Sequence, residues 1–248
     1  MRTTTKNLMA LPIALMVGLA IAISSPPAQA QSLQLAFKGG VVTGTPYGKI
    51  PEGATGGPGA GLYAALQTTW LLAPRWGLQL DLAYAQKNAY YDSPISGKVA
   101  PTQEVFGVPI QSPISFPYAG RAAGRYDNLY LDIPLSLVYR PEGRFSFHLG
   151  GYASYLIEGA HTGNVAIRVI NIINVEQDFD ETRLLNQWDV GITGGMEMGI
   201  IPRVFSFVGL QVGLININSQ NPEGLEGTYR NIYLTAGLKY RLISWINN

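Results

Sequence analysis

The chain has 248 residues, 47% of them hydrophobic and only 13% charged, against roughly 25% charged in an average soluble domain. A formal net charge of +1 gives no electrostatic reason to expect a nucleic-acid partner. Zero cysteines exclude disulfides, thiolate metal sites and a cysteine-linked lipid anchor.

Residues 1–30 read as a secretory signal peptide. Arg2 and Lys6 give a basic start, Leu8 to Ile23 is apolar, and S-S-P-P-A-Q-A follows with Ala28 and Ala30 in an A-x-A arrangement. The apolar run falls short of the ~20 residues a helical span needs and contains Pro12. Cleavage after Ala30 leaves Gln31 first and makes residues 31–248 a single mature domain. That domain has no further long apolar run, so it enters a membrane only as a β-barrel.

Alternation with a period of two recurs along the mature chain, placing alternate residues on opposite faces of a strand. The first strand, Leu33–Val42, sets Leu35, Phe37 and Val41 against Gln34, Ala36, Lys38 and Gly40. The second, Ala60–Leu72, sets Leu62, Leu66 and Trp70 against Tyr63, Gln67 and Thr69. After the turn Ala73-Pro74-Arg75, the third, Trp76–Lys87, opposes Leu78, Leu80 and Leu82 to Gln79, Asp81 and Lys87. The clearest stretch is Asn128–Glu158, two strands around Pro141–Gly143, with Leu129, Leu131, Ile133, Leu135, Leu137, Phe145, Phe147 and Leu149 on one face. A sixth strand from Trp188, a seventh over Val204–Asn218 and an eighth through Asn231–Leu242 repeat the pattern. Pro134 lies inside a strand and predicts a bulge or a lost ladder bond, with its ring facing inward.

Short turns alternate with long connections, of which Ala89–Asp127 and Gly159–Leu185 are the longest. Eight strands with this asymmetry predict an all-β, antiparallel, up-and-down transmembrane barrel with short periplasmic turns and long extracellular loops. Periodicity alone equally allows a soluble barrel that is apolar inside. Two features favour the membrane. The polar faces are rich in glycine and tyrosine and would make a poor solvent surface, and apolar-face aromatics such as Trp70, Trp76, Tyr139, Tyr155 and Trp188 gather at strand ends like interfacial girdles.

The inward set then contains Lys38, Lys87, Arg140, Arg144, Lys239 and Arg241 against Asp81, Asp132, Glu158, Asp189 and Glu197, with His148 near the short-turn end. Eight strands leave an interior that side chains fill, so these charges are expected to pair in a structural network that fixes register. Inward glycines, including Gly40, Gly150 and Gly191, are expected to make room for Tyr63, Tyr130, Tyr152 and Tyr233. No catalytic, cofactor or metal site is predicted: there is no phosphate-binding glycine motif, no H-E-x-x-H and no acidic calcium loop. His161, near Glu158 and Thr162, is the one residue around which a rim-located enzyme could be imagined, and no spacing supports a triad there. The two long loops are expected either to form a partner-docking surface or to pack as a cap over the barrel mouth, and V-A-I-R-V-I-N-I-I-N-V in the second is β-prone enough to extend the strands above the membrane or to add a hairpin.

Tyr130–Arg140, Y-L-D-I-P-L-S-L-V-Y-R, followed by F-H-L-G-G-Y-A-S-Y-L, resembles the PorT-like outer-membrane β-barrel proteins. So do W-D-V-G-I-T-G-G-M-E at Trp188–Glu197 and N-I-Y-L-T-A-G-L-K-Y-R-L at Asn231–Leu242. The resemblance implies a bacterial outer-membrane location and, through the member that names the family, a link to protein secretion. It carries no functional residue across. The leading expectation is a non-enzymatic barrel with a plugged lumen and a structural or secretion-associated role. Outer-membrane lipids surround it, and envelope or secretion-machinery proteins meet its loops. A narrow porin-like channel or solute-binding barrel is the alternative, and a lipid-modifying enzyme a third reading.

Overall fold

The computed structural model describes residues 32–48, 52–99, 103–105, 108–110, 116–141, 144–169, 173–219 and 228–246. The expected signal peptide and its Ala30–Gln31 cleavage site lie outside them. In chain order the strands are β1 (Ser32–Tyr47), β2 (Thr55–Leu71), β3 (Trp76–Val99), β4 (Gln103–Val105), β5 (Val108–Ile110) and β6 (Phe116–Tyr139). They continue with β7 (Phe145–Val169), β8 (Ile173–Asp180), β9 (Trp188–Ile201), β10 (Val204–Gly213) and β11 (Arg230–Ile246).

Eight of these close a ring. The order is β6-β3-β2-β1-β11-β10-β9-β7, and β6 pairs with β7 to complete it. Every pairing is antiparallel, and β1 meets β11 from Ser32↔Ile246 to Tyr47↔Arg230, so the ring has no free edge where the chain begins and ends. The predicted eight-stranded up-and-down barrel is the observed architecture.

Exposure follows the predicted alternation. Phe37, Val41, Leu62, Leu135, Leu149, Ile192 and Leu238 are exposed on the outer wall, while Lys38, Gln67, Asp81, Asp132, Asp189, Glu197 and Lys239 are buried inside. Aromatic pairs bound this apolar wall. Trp76 lies tilted against Tyr139 (4.7 Å between centroids) at the short-turn end, and Tyr155 meets Trp188 (5.1 Å) at the other. From Phe145 to Tyr155, β7 crosses the wall in about ten residues, the length a tilted transmembrane strand needs.

The strands do not stop there. Among the described residues, segment 89–127, expected as loop, is mainly strand, and 159–185 adds the strand extension and hairpin that its β-prone stretch suggested. β3 and β6 stay paired up to Val99↔Phe116, and β7 continues to Val169 and pairs with β8 from Thr162↔Asp180 to Val169↔Ile173. Beyond the wall the polarity inverts. Asn88, Asp92, Arg121, Arg125 and Thr162 now stand on the outside, whereas Tyr91, Ile95, Tyr118, Ala122, Tyr126, Val165, Ile167 and Phe179 are buried on the inside. A sheet that is apolar outward in lipid becomes polar outward in water, because the outer solvent has changed. Prolines within it, such as Pro94 opposite Arg121, interrupt the apolar run and disguise the extension as loop.

A bulge resets the phase of β7 at this boundary. Leu129 pairs with Glu158 but Tyr130 pairs with Leu156, so Ile157 is the extra residue. Inward positions on β7 are even-numbered below it (Tyr152, Ser154) and odd-numbered above (His161, Val165). Glu158 is therefore exposed outside, correcting its expected inward place. Arg144 is likewise exposed, at the turn into β7. Pro134 behaves as its chemistry requires: the β3–β6 ladder lapses between Leu80↔Leu135 and Ala83↔Asp132, and the proline is buried inward.

Candidate functional site: the lumen and its outer cap

Three layers of side chains occupy the interior. Nearest the short turns, Glu197 on β9 accepts from Lys239 on β11 and, at 3.1 Å, from Gln67 Nε2 on β2. Lys38 on β1 lies 3.8 Å from Glu197 and 3.2 Å from Asp81 on β3, and Lys239 Nζ also reaches Gln67 Oε1 at 2.8 Å. Five strands are tied through two carboxylates, two ammonium groups and one amide. Each member lies at an inward position of its own strand, which is why residues far apart in sequence converge.

The remaining expected members of this layer sit toward its edge. Arg140 donates to Gln34 Oε1 at 3.0 Å across the mouth, and the Arg241 guanidinium covers the Phe205 ring at 4.6 Å. His148 is half-buried and borders a cavity of about 20 Å³ shared with Asp81, Ser136, Gln211 and Thr235. Asp81 Oδ1, Ser136 Oγ and Gln211 Oε1 take no protein hydrogen bond, and the cavity has room for about one water that would satisfy them.

In the middle layer, Lys87 on β3 and Asp132 on β6 pair at 2.9 Å with no accessible side-chain surface on either. The ammonium also donates to Ser154 at 3.2 Å and lies 5.0, 4.9 and 5.6 Å from the ring centroids of Tyr130, Tyr152 and Tyr233. An aromatic cage of this kind offers a desolvated cation the negative ring faces it loses in water. Asp189 on β9 forms the other pole, accepting from Tyr152 Oη at 3.0 Å and from Asn231 Nδ2 at 2.8 Å. Tyr152 lies against Gly191, where a Cβ would come within 2.6 Å of its ring, so glycine does make room for tyrosine here. Lys87 was expected inward among the charges of the structural network, but its aromatic cage had no signature along the chain.

Above the lipid-facing wall the lumen ends in an aromatic cap. His161 is fully buried, stacked on Tyr126 at 4.3 Å and edge-on to Phe179 at 5.6 Å. Its Nε2 meets Tyr91 Oη at 2.8 Å, and Asn218 Nδ2 donates to that Tyr126 hydroxyl at 3.2 Å. Burial pushes the imidazole down to about 4, so it is neutral at neutral pH, while the Tyr91 and Tyr126 phenols are raised by the same desolvation. Nδ1 has no hydrogen-bond partner, and the residue's backbone N–H donates to Thr182 Oγ1. Among the described residues, the Tyr91 hydroxyl is the side-chain group hydrogen-bonded to this ring. Among the described residues no group of histidines and carboxylates has the arrangement to hold a metal ion.

The profile described as outer membrane protein beta-barrel domain matches residues 29–219. The chain belongs to this family. It is an outer-membrane β-barrel protein of the bacterial envelope, as its apolar outer wall, aromatic girdles and inverted outer extension require. No curated protein matches it. Among solved structures it is similar to Ail, the attachment invasion locus protein of Yersinia pestis, at 11% identity and a TM-score of 0.39, covering 86% of this chain and 99% of that one. It is also similar to Neisserial surface protein A (10%, 0.36, 84% and 97%) and to OprG from Pseudomonas aeruginosa (13%, 0.34, 86% and 97%).

Proposed function

We propose that this outer-membrane barrel is a non-conducting, non-enzymatic element with a structural or secretion-associated role, and that its outer sheet extension receives the partner. The filled lumen carries this reading: ion-paired layers below, an aromatic cap above, and about 20 Å³ in the cavity beside His148. A larger recess of about 430 Å³, around Leu149, Gly194 and Leu210, opens on the lipid-facing wall instead of the lumen. The enclosed His161, with Tyr91 as its side-chain partner, supports a packing role over a catalytic one. Segments 89–127 and 159–185, now seen as paired strands rising above the membrane, offer a rigid surface suited to an envelope or secretion-machinery protein. The resemblance of Tyr130–Arg140 and Trp188–Glu197 to PorT-like barrels supports the secretion-associated choice. The lumen serves register and stability. Purified protein in planar bilayers is expected to give no unitary currents, and reproducible single-channel steps would overturn the reading in favour of a narrow channel.

A further inference from the structure

The ring closes where the first strand meets the last. Every other neighbouring pair is consecutive along the chain, directly or through β4–β5 or β8, so a turn or longer connection joins it at one end. β1 and β11 have no such link and are held by their ladder and side chains. Within that ladder Lys38 stands directly opposite Lys239, both of them inward and buried. Among the described cross-strand pairs of the ring it alone opposes like charges. Facing residues on antiparallel strands have Cβ atoms about 5 Å apart, and like charges so placed are destabilising.

Glu197 answers both lysines from β9, two strands away from β11. Its Oε2 receives Lys239, and its Oε1 lies 3.8 Å from Lys38. Gln67 on β2 and Ser146 on β7 fix the carboxylate at 3.1 and 3.4 Å. The two lysines differ in what else they meet. Lys38 also pairs with Asp81 at 3.2 Å. For Lys239, Glu197 is the carboxylate in reach among the described residues; Gln67 Oε1 at 2.8 Å and the Phe205 ring at 5.0 Å carry no full charge. A neutral side chain at 197 therefore leaves Lys239 as an uncompensated buried ammonium facing a second one.

We propose that Glu197 is the closing lock of the barrel, and that the β1–β11 seam is where the ring opens when the lock is released. The seam is also weakly built beside the lysines. Its register shifts between Leu35 and Ala36, where Leu242 is the extra residue on β11. On the other side of the lysines Gly40 faces Gly237, a pair with no side chains to pack. Gly39 and Leu238, next to the lysines, stand opposite each other on the outer wall, so the opening runs sideways towards lipid. The Lys87–Asp132 pair, by contrast, joins opposite charges on adjacent strands β3 and β6. The lock operates whichever partner the outer extension receives.

The test uses the full chain in detergent micelles and reads amide hydrogen exchange strand by strand. Glu197→Gln is expected to speed exchange over Lys38–Val42 and Thr235–Lys239 about 100-fold, and to leave β6 and β7 around Ile133 and Ala153 within about two-fold. E197Q/K239M removes the facing charge and leaves Lys38 with Asp81, so slow exchange at the seam is expected to return. It is also expected to return in E197Q with an oxidised G39C/L238C staple. The chain has no cysteine of its own, and a Cβ at Gly39 meets nothing closer than 3.5 Å. Unchanged exchange in E197Q overturns the proposal, as does equal acceleration at β6–β7, which would make Glu197 a general stability group. Fast seam exchange in E197Q/K239M or in the stapled variant overturns it as well. If E197Q does not fold, recovery of the barrel in E197Q/K239M supports the lock, and continued failure overturns it.

Discussion

Lys87 and Asp132 pair at 2.9 Å on adjacent strands, and neither side chain has any accessible surface. Removing one partner strands the other charge, whereas removing both strands nothing. Lys87→Met is therefore expected to destabilise the barrel by about 3–5 kcal/mol, and the double variant K87M/D132L by much less. Urea unfolding in lipid vesicles gives both numbers, and equal losses in the two would refute mutual pairing as the source of the loss.

Leu135 is 54% exposed on the outer wall, next in sequence to the buried Ser136. With hydrocarbon as its solvent, Leu135→Arg should cost about 2–4 kcal/mol near the midplane. Leu135→Phe should be close to neutral. In a water-facing sheet the arginine would be tolerated at least as well as the phenylalanine, so reversing their order in a vesicle-folding assay would contradict the lipid-facing assignment.

His161 makes the cap pH-sensitive. Its folded value, about 4, lies below the ~6.5 it has when opened to water. The opened state binds the extra proton, so cap stability is full above about 6.5 and falls as the pH drops towards 4. The largest loss is on the order of 3 kcal/mol. Hydrogen exchange of β8 and the upper part of β7 should speed up across that window, and His161→Phe should flatten the response.

Glycines on the two sides of the wall have different duties. A Cβ at inward Gly191 would lie 2.1 Å from Val212 O and 2.6 Å from the Tyr152 ring, while one at outward Gly151 meets nothing closer than 3.4 Å. Gly191→Ala is expected to cost about 1–3 kcal/mol through overpacking. Gly151→Ala should cost little. Equal midpoints for the two in denaturant would contradict the close packing of the lumen.

The eight strands of the ring and most of their two faces were legible along the chain, because a period of two needs only neighbouring residues to be read, and the aromatic strand ends added the membrane. Lys38, Asp81, Asp132, Asp189, Glu197 and Lys239 could all be placed inside on that basis. Which of them meet was not legible. Glu197 joins Lys239 and Gln67 across 42 and 130 residues, and Lys38 joins Asp81 across 43. Such distances are set by ring order and register, which involve several strands at once.

The first long loop was misread for a related reason. A strand that leaves lipid for water keeps its period but exchanges its faces, so Tyr91, Ile95 and Tyr126 turn inward where Lys87 and Asp132 had been, and Asp92 and Arg121 turn outward. One bulge at Ile157 moved His161 inside and Glu158 out. The sequence by itself determined the alternation, and its aromatic strand ends and glycine- and tyrosine-rich polar faces pointed to the solvent. Only the tertiary structure decided where one solvent gives way to the other and which charges pair, because those depend on shear and strand neighbours that no local pattern carries.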